Sequence, residues 1–194
     1  MRTTKEASEQ FIEERLGTTG EKVDNIVAKA RRARDHAKAR VSGRVDSLRA
    51  HEARTRTRLR ELREADQAGW QAAAVELNLE LDHLEIELAI AEARLGSELA
   101  SDDAAFAAAV EAELDAWNTH IDALQVRAAT TSHHDRAQRE AAIRQVRERR
   151  AAAKGKLQAF QRCLPRATPA ERAQLCQAMD ELDRAAEEAA ASFD

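Results

Sequence analysis

Proline is confined to one short stretch of this chain, and that feature restricts the fold more than any other. The chain has 194 residues and two prolines, Pro165 and Pro169, so no proline ring interrupts helical structure before residue 165. Tyrosine is absent, and alanine, glutamate, arginine and leucine, which favour helices, dominate the composition. Apolar residues recur at helical spacing along most of the chain. The sequence therefore predicts an all-α fold.

Charge is distributed in four blocks of alternating sign. Lys and Arg outnumber Asp and Glu by 17 to 12 in residues 1–68 and by 10 to 3 in residues 130–166. Asp and Glu outnumber Lys and Arg by 13 to 2 in residues 69–129 and by 7 to 2 in residues 167–194. Such blocks on helices form complementary faces, so they indicate how helices pair with one another or with a partner. They do not indicate a reaction.

Four amphipathic segments follow one another in the C-terminal part of the chain. The segments are residues 70–95, 101–129, 134–163 and 169–190. The second carries one apolar stripe, formed by Phe106, Val110, Leu114, Trp117, Ile121 and Leu124. The fourth begins with a capping box from Thr168 to Glu171. Their lengths and short connections predict an antiparallel four-helix bundle over residues 69–194.

The segment at 70–95 has apolar residues on two sides. One stripe consists of Leu77, Leu81, Leu84, Leu88 and Leu95, and the other of Val75, Leu79, Ile86 and Ile90. A helix with two apolar sides is expected to be the most buried element of a bundle.

The N-terminal part is predicted as two pieces. Residues 1–20 contain a short amphipathic helix and a loop at Gly17-Thr-Thr-Gly20. Residues 21–68 have a thin apolar stripe, which predicts a basic, coiled-coil-like helical arm with little to bury. At Gly69 a continuous or kinked helix is favoured, because one glycine costs only about 1 kcal/mol in a helix. The alternative is a hairpin at Gly69 that lays the arm on the acidic segment 70–129.

Arginine is concentrated between His51 and Arg63. The candidate contacts to a polyanion or an acidic partner are Arg54, Arg56, Arg58, Arg60 and Arg63. Residues 21–63 carry 14 Lys and Arg against 6 Asp and Glu, and a basic helix of this kind can follow a row of phosphates. No aromatic residue between Phe11 and Trp70 is available to stack on bases. A solvated or partner-facing helix is therefore the favoured interpretation, and binding of nucleic acid or polyphosphate is the alternative.

Residues that could support catalysis or metal binding are sparse. Glu80 and His83 have the Glu-x-x-His spacing of di-iron bundles, with Glu76 and Glu87 near the same face. A di-iron site requires a second copy of that motif, and the chain has one. No glycine-rich phosphate loop or G-x-S-x-G motif occurs. The sequence therefore predicts no catalytic, cofactor-binding or metal-binding residue, and His83 is interpreted as a surface histidine.

The leading hypothesis is a non-enzymatic helical scaffold or interaction protein. It self-associates as a homo-oligomer, or binds a protein partner, through its charge-patterned helices. The alternative is polyanion binding through residues 21–63. No window approaches 18 consecutive apolar residues and no hydrophobic stretch follows Met1, which predicts no transmembrane segment and a cytoplasmic location. Cys163 and Cys176 are expected to be reduced thiols.

Overall fold

The computed structural model describes residues 4–32, 35–64, 67–129, 133–164 and 166–193, and helices dominate these ranges. They contain α1 (Thr4–Arg32), α2 (Asp35–Glu64), α3 (Gln67–Leu99), α4 (Asp103–Ala129), α5 (His133–Cys163) and α6 (Pro169–Ala191). The described ranges include no strand, which confirms the all-α prediction. Each described helix falls short of the apolar length that a bilayer crossing requires.

The chain divides into two compact units, Met1–Leu95 and Gly96–Asp194. The first unit is built from α1, α2 and most of α3, and the second from α4, α5, α6 and the last residues of α3. This grouping differs from the predicted arm at 21–68 and the predicted bundle at 69–194. Residues 21–68 are shared between separate helices, and α3 as far as Leu95 belongs with them because their apolar residues enter one common core.

Neighbouring helices in the first unit run antiparallel. Arg63 Nη2 of α2 lies 2.8 Å from Glu13 Oε2 of α1, so the end of α2 lies beside the N-terminal half of α1. The thin stripe of the predicted arm is buried rather than exposed. Its buried members are Val23, Ile26, Val27, Ala30, Val45, Leu48, Leu59 and Leu62, and the side chains of Ala37 and Val41 lie outside the described set. The first helices bury apolar surface against α3, which a solvated arm would not do.

The loop predicted at residues 17–20 is helical. Helix α1 passes through Gly17 and Gly20, and the hydroxyls of Thr18 and Thr19 donate to the carbonyls one turn earlier at 3.0 and 2.9 Å. Two internal glycines cost a helix about 2 kcal/mol in total. Burial of apolar residues on both sides of this segment outweighs that cost, so the helix continues where the glycines predict a loop.

Gly69 lies inside α3 and is not the turn residue. Helix α2 ends at Glu64 and α3 begins at Gln67, so Gly69 is helical. Contacts between α2 and α3 show that the two helices are antiparallel, as the hairpin alternative requires and the favoured continuous helix does not allow. Trp70 is buried in the core of the first unit, which fixes the start of α3 on the core side.

In the second unit α4, α5 and α6 pack through the predicted stripes. Every residue of the α4 stripe from Phe106 to Leu124 is buried, as are the stripe residues of its neighbours: Ile143, Val146, Ala153, Leu157, Phe160, Leu175, Met179 and Leu182. The rings of Phe106 and Phe160 meet edge to face, with centroids 5.5 Å apart. Arg150, which interrupts the α5 stripe, donates from Nε to the carbonyl of Leu114 at 2.8 Å. The predicted apolar faces of these three helices are confirmed.

The predicted caps of the second unit are also confirmed. Thr168 N donates to Glu171 Oε2 at 2.7 Å, and Glu171 N donates to Thr168 Oγ1 at 3.3 Å, which closes the capping box of α6. At the start of α4, Ala105 N donates to Asp102 Oδ1 at 2.8 Å. That hydrogen bond is the main reason that the pKa of Asp102 is lowered.

Candidate functional site

Basic side chains of α1 and α2 lie on acidic side chains of α3. Arg15 Nη2 is 2.6 Å from Asp82 Oδ1 and 3.0 Å from Glu85 Oε2. The hydrogen bond to Glu85 is the largest factor that raises the pKa of Arg15, although partial burial opposes it. Arg58 of α2 pairs with Glu80. The first unit contains 18 Lys and Arg and 18 Asp and Glu, so the first charge block is neutralised within it.

The arginines predicted to contact a polyanion are all exposed on α2, but most have partners. Three pair with carboxylates: Arg56 with Glu52 at 2.6 Å, Arg58 with Glu80, and Arg63 with Glu13 at 2.8 Å. Arg60 donates to the hydroxyl of Thr57 at 3.0 Å, and Arg54 is exposed on the same helix. A phosphate row would have to displace the carboxylate partners of Arg56, Arg58 and Arg63 before it could bind these arginines.

A second polar cluster joins α2 to α3 and consists of His51, His83 and Glu87. His51 Nδ1 is 2.8 Å from Glu87 Oε2, and His83 Nε2 is 3.7 Å from Glu87 Oε1. The two imidazole rings meet edge to face, with centroids 5.4 Å apart. One ligand atom from each residue can be chosen so that all three lie within 4.8 Å of one another. We refer to these three residues as the histidine cluster.

The histidine cluster is sheltered from solvent. His51 is 7% exposed, and His83 and Glu87 are half-buried. Thr55 lies one turn after His51 on α2. It is also buried, and its hydroxyl donates to the carbonyl of His51 at 3.0 Å. His51 and Thr55 occupy positions of α2 at which the helical spacing of the apolar residues predicts further apolar side chains. His83 is therefore not the solvated surface histidine that the sequence predicts.

The sequence indicates part of this cluster. His83 and Glu87 share a face of one predicted helix with Glu80, and their spacing is typical of metal ligands. His51 belongs to the basic run of α2, and nothing in its local sequence places it beside them. Its partnership with Glu87 spans 36 residues and depends on the antiparallel pairing of α2 and α3, which the continuous-helix prediction did not include.

Large apolar side chains are exposed on α1 and α3. Val75 is 63% exposed and Leu79 is 53% exposed, one helical turn apart on α3. Phe11 of α1 is 57% exposed and stacks under the Arg15 guanidinium, which also donates to Asn78. We call these three residues the apolar face. The second stripe predicted for α3 is thus buried at Ile90 but exposed over its first turns.

Cys163 and Cys176 form no disulfide with each other. The pKa of Cys163 is raised, first by its hydrogen bond to the Glu171 carboxylate and second by burial. A raised pKa lowers the thiolate fraction and therefore the nucleophilicity of the sulfur. Cys163 is thus poorly suited to act as a nucleophile.

Comparison with known proteins identifies no relative: the chain matches no family model, no curated protein and no solved structure.

Proposed function

We propose that this chain is a non-enzymatic helical interaction protein that self-associates through the apolar face. The observation that carries the proposal is the exposure of Val75 and Leu79, at 63% and 53%, one turn apart on α3. Full burial of a valine or leucine side chain contributes about 1.5–3 kcal/mol. A two-fold dimer buries each such residue twice, so a small face of this kind can supply the centre of an interface.

Charge favours a second copy of the chain as the occupant of this face. The first charge block is matched by the acidic residues of α3 inside the first unit, and that unit has no net charge. Two neutral units do not repel one another at long range. Arg15 lies over the Phe11 ring on α1 and donates to Asn78 on α3, so it links the helix of Phe11 to the helix of Val75 and Leu79. We propose the cytoplasm as the compartment of this protein.

Sedimentation equilibrium of the full chain tests the proposal, with the double variant Val75→Gln/Leu79→Gln. The wild type is expected to sediment as a dimer or larger species, and the variant to dissociate, because two glutamines remove most of the apolar area. Val126→Gln is the matched control, because Val126 is 62% exposed but lies on α4 in the other unit. Helicity should be unchanged in both variants.

Salt separates this proposal from charge-driven pairing. Apolar association persists between 0.1 and 1 M salt, where the Debye length falls from about 10 to about 3 Å and exposed ion pairs are screened. A wild type that is monomeric throughout, or a variant that associates as the wild type does, contradicts the proposal.

Polyanion binding through residues 21–63 is the alternative function. It has less support, because Arg56, Arg58 and Arg63 are paired with carboxylates. Retardation of DNA, RNA or polyphosphate with a steep dependence on salt would support this alternative.

A further inference from the structure

We propose that the histidine cluster binds a divalent transition-metal ion between α2 and α3. The ligands are His51 from α2 and His83 and Glu87 from α3. Imidazole and carboxylate donors together suit Zn²⁺ and its neighbours in the first transition row, whereas Ca²⁺ and Mg²⁺ prefer oxygen donors alone. Two histidines and one glutamate are a common ligand set for zinc, with a fourth position left for water.

The spacing of the ligand atoms is close to what zinc requires. Zinc–ligand distances of 2.0–2.2 Å place the atoms of a tetrahedral site about 3.3 Å apart. The Nδ1 atom of His51 is 2.8 Å from one Glu87 oxygen, Nε2 of His83 is 3.7 Å from the other, and the three ligand atoms fall within 4.8 Å. The proposal requires the ligand atoms to move closer together, from within 4.8 Å to about 3.3 Å.

Two backbone features hold the ligands in place. His83 and Glu87 are four residues apart on α3, so they project from the same face one turn apart. His51 comes from the antiparallel neighbour, so the ligand set closes across a helix–helix seam rather than on one exposed surface. The buried position of His51 restricts its rotamers, whereas His83 and Glu87 are partly exposed, which leaves access for a water ligand.

The charge around the cluster also favours a cation. Glu80 lies one turn before His83, and its Oε2 atom is buried and has no hydrogen-bond partner among the described residues. Its other oxygen pairs with Arg58. A buried carboxylate oxygen without a partner is costly, and a nearby divalent ion offsets that cost.

Zinc titration of the full chain, purified with chelator and monitored by calorimetry, tests the site. We expect one Zn²⁺ per chain with a dissociation constant on the order of 1 μM or lower. His51→Ala, His83→Ala and Glu87→Gln should each weaken binding by about tenfold or more, since each removes one ligand. Glu76→Gln is the matched control, because Glu76 is an exposed acid on the same helix outside the cluster.

Two further measurements exclude other zinc ligands and misfolding. The Cys163→Ser/Cys176→Ser variant should bind as the wild type does, and the Co²⁺ complex should lack a thiolate-to-metal charge-transfer band. Zn²⁺ should raise the melting temperature of the wild type but not of Glu87→Gln, because an ion that binds only the folded state stabilises it. Glu87→Gln preserves side-chain size, so it remains informative if an alanine variant loses helicity.

Absence of stoichiometric zinc binding overturns the proposal, as does binding that survives all three substitutions. Loss of binding in the cysteine variant overturns it as well. These outcomes are independent of self-association, because the apolar face and the histidine cluster share no residue.

Discussion

At the scale of single residues, the glycines of α1 differ in what surrounds them. A Cβ atom added at Gly17 meets nothing within 4 Å, whereas one added at Gly20 lies 2.7 Å from Glu52 Oε1 and 2.8 Å from Arg56 Nη2. Gly20 therefore sits beneath an ion pair of α2, at a close approach of the two helices. Gly17 has no such reason to be glycine.

Replacing Gly17 by alanine is expected to stabilise the protein by about 1 kcal/mol, because alanine is the better helix former and the site is open. Urea unfolding of Gly17→Ala against the wild type measures the change. Gly155→Ala, at an equally open position of α5, is the control and should give a similar gain. Destabilisation by Gly17→Ala alone would instead support the loop that the sequence predicts.

At the scale of elements, capping determines where α6 begins. Glu171 accepts a hydrogen bond from the backbone N–H of Thr168, and this is the main reason that its pKa is lowered below the ordinary value of 4.5. The carboxylate is thus favoured in the folded state. Its contribution to stability is complete above its ordinary pKa and is lost as the pH falls through the lowered pKa.

Glu171→Gln should therefore destabilise the protein at pH 6, and the difference from the wild type should shrink as the pH falls to 3. Chemical unfolding at several pH values gives the comparison. Glu187→Gln is the control, because Glu187 lies near the C-terminal end of the same helix, where a negative charge opposes the helix dipole. A constant difference between Glu171→Gln and the wild type at every pH would refute the role of charge in the cap.

The sequence predicted helical faces better than helix boundaries. Phe106, Trp117 and Leu124 belong to a single stripe with regular spacing, and such a stripe has one way to be buried. The start of α6 was also predictable, because Thr168 and Glu171 have the residue types and spacing of a capping box. The sequence predicts loops at Gly17–Gly20 and a possible turn at Gly69, and the structure has helix at both places. At Gly17 and Gly20 the sequence predicts a loop, but tertiary packing keeps both residues helical.

The candidate sites were predictable to different degrees. His83 and Glu87 were recognisable as a pair from their spacing on one helix, but His51 joins them only through the pairing of α2 with α3. Val75 and Leu79 were correctly placed in a stripe. Their exposure could not be predicted, because a helix with two apolar sides does not reveal which side its neighbours cover.

At the scale of the whole molecule, the formal charge of −4 resides in the second unit, since the first has equal numbers of acidic and basic residues. Each unit also has its own set of buried apolar residues. The two halves of the chain thus differ in electrostatics although both are built from antiparallel helices.

A fragment of residues 96–194 is expected to fold without the rest of the chain, because the stripes of α4, α5 and α6 are buried within that unit. Circular dichroism should show high helicity, and urea should unfold the fragment in one cooperative transition. A fragment of residues 1–95 provides the comparison. A broad, non-cooperative transition in the 96–194 fragment would show that its core depends on the first unit.

The contacts of Arg15 also determine which alignment of α1 and α3 is allowed. Small side chains such as alanine leave a helix pair free to slide, because they provide few distinct knobs and holes. Arg15 reaches Asn78, Asp82 and Glu85, which span about two turns of α3. A slip of seven residues toward the start of α3, about 10.5 Å, would place Val75 and Asn78 where the two carboxylates now lie. The misaligned pair would leave a guanidinium without its counter-charges, so Arg15 disfavours this slip of α1 along α3.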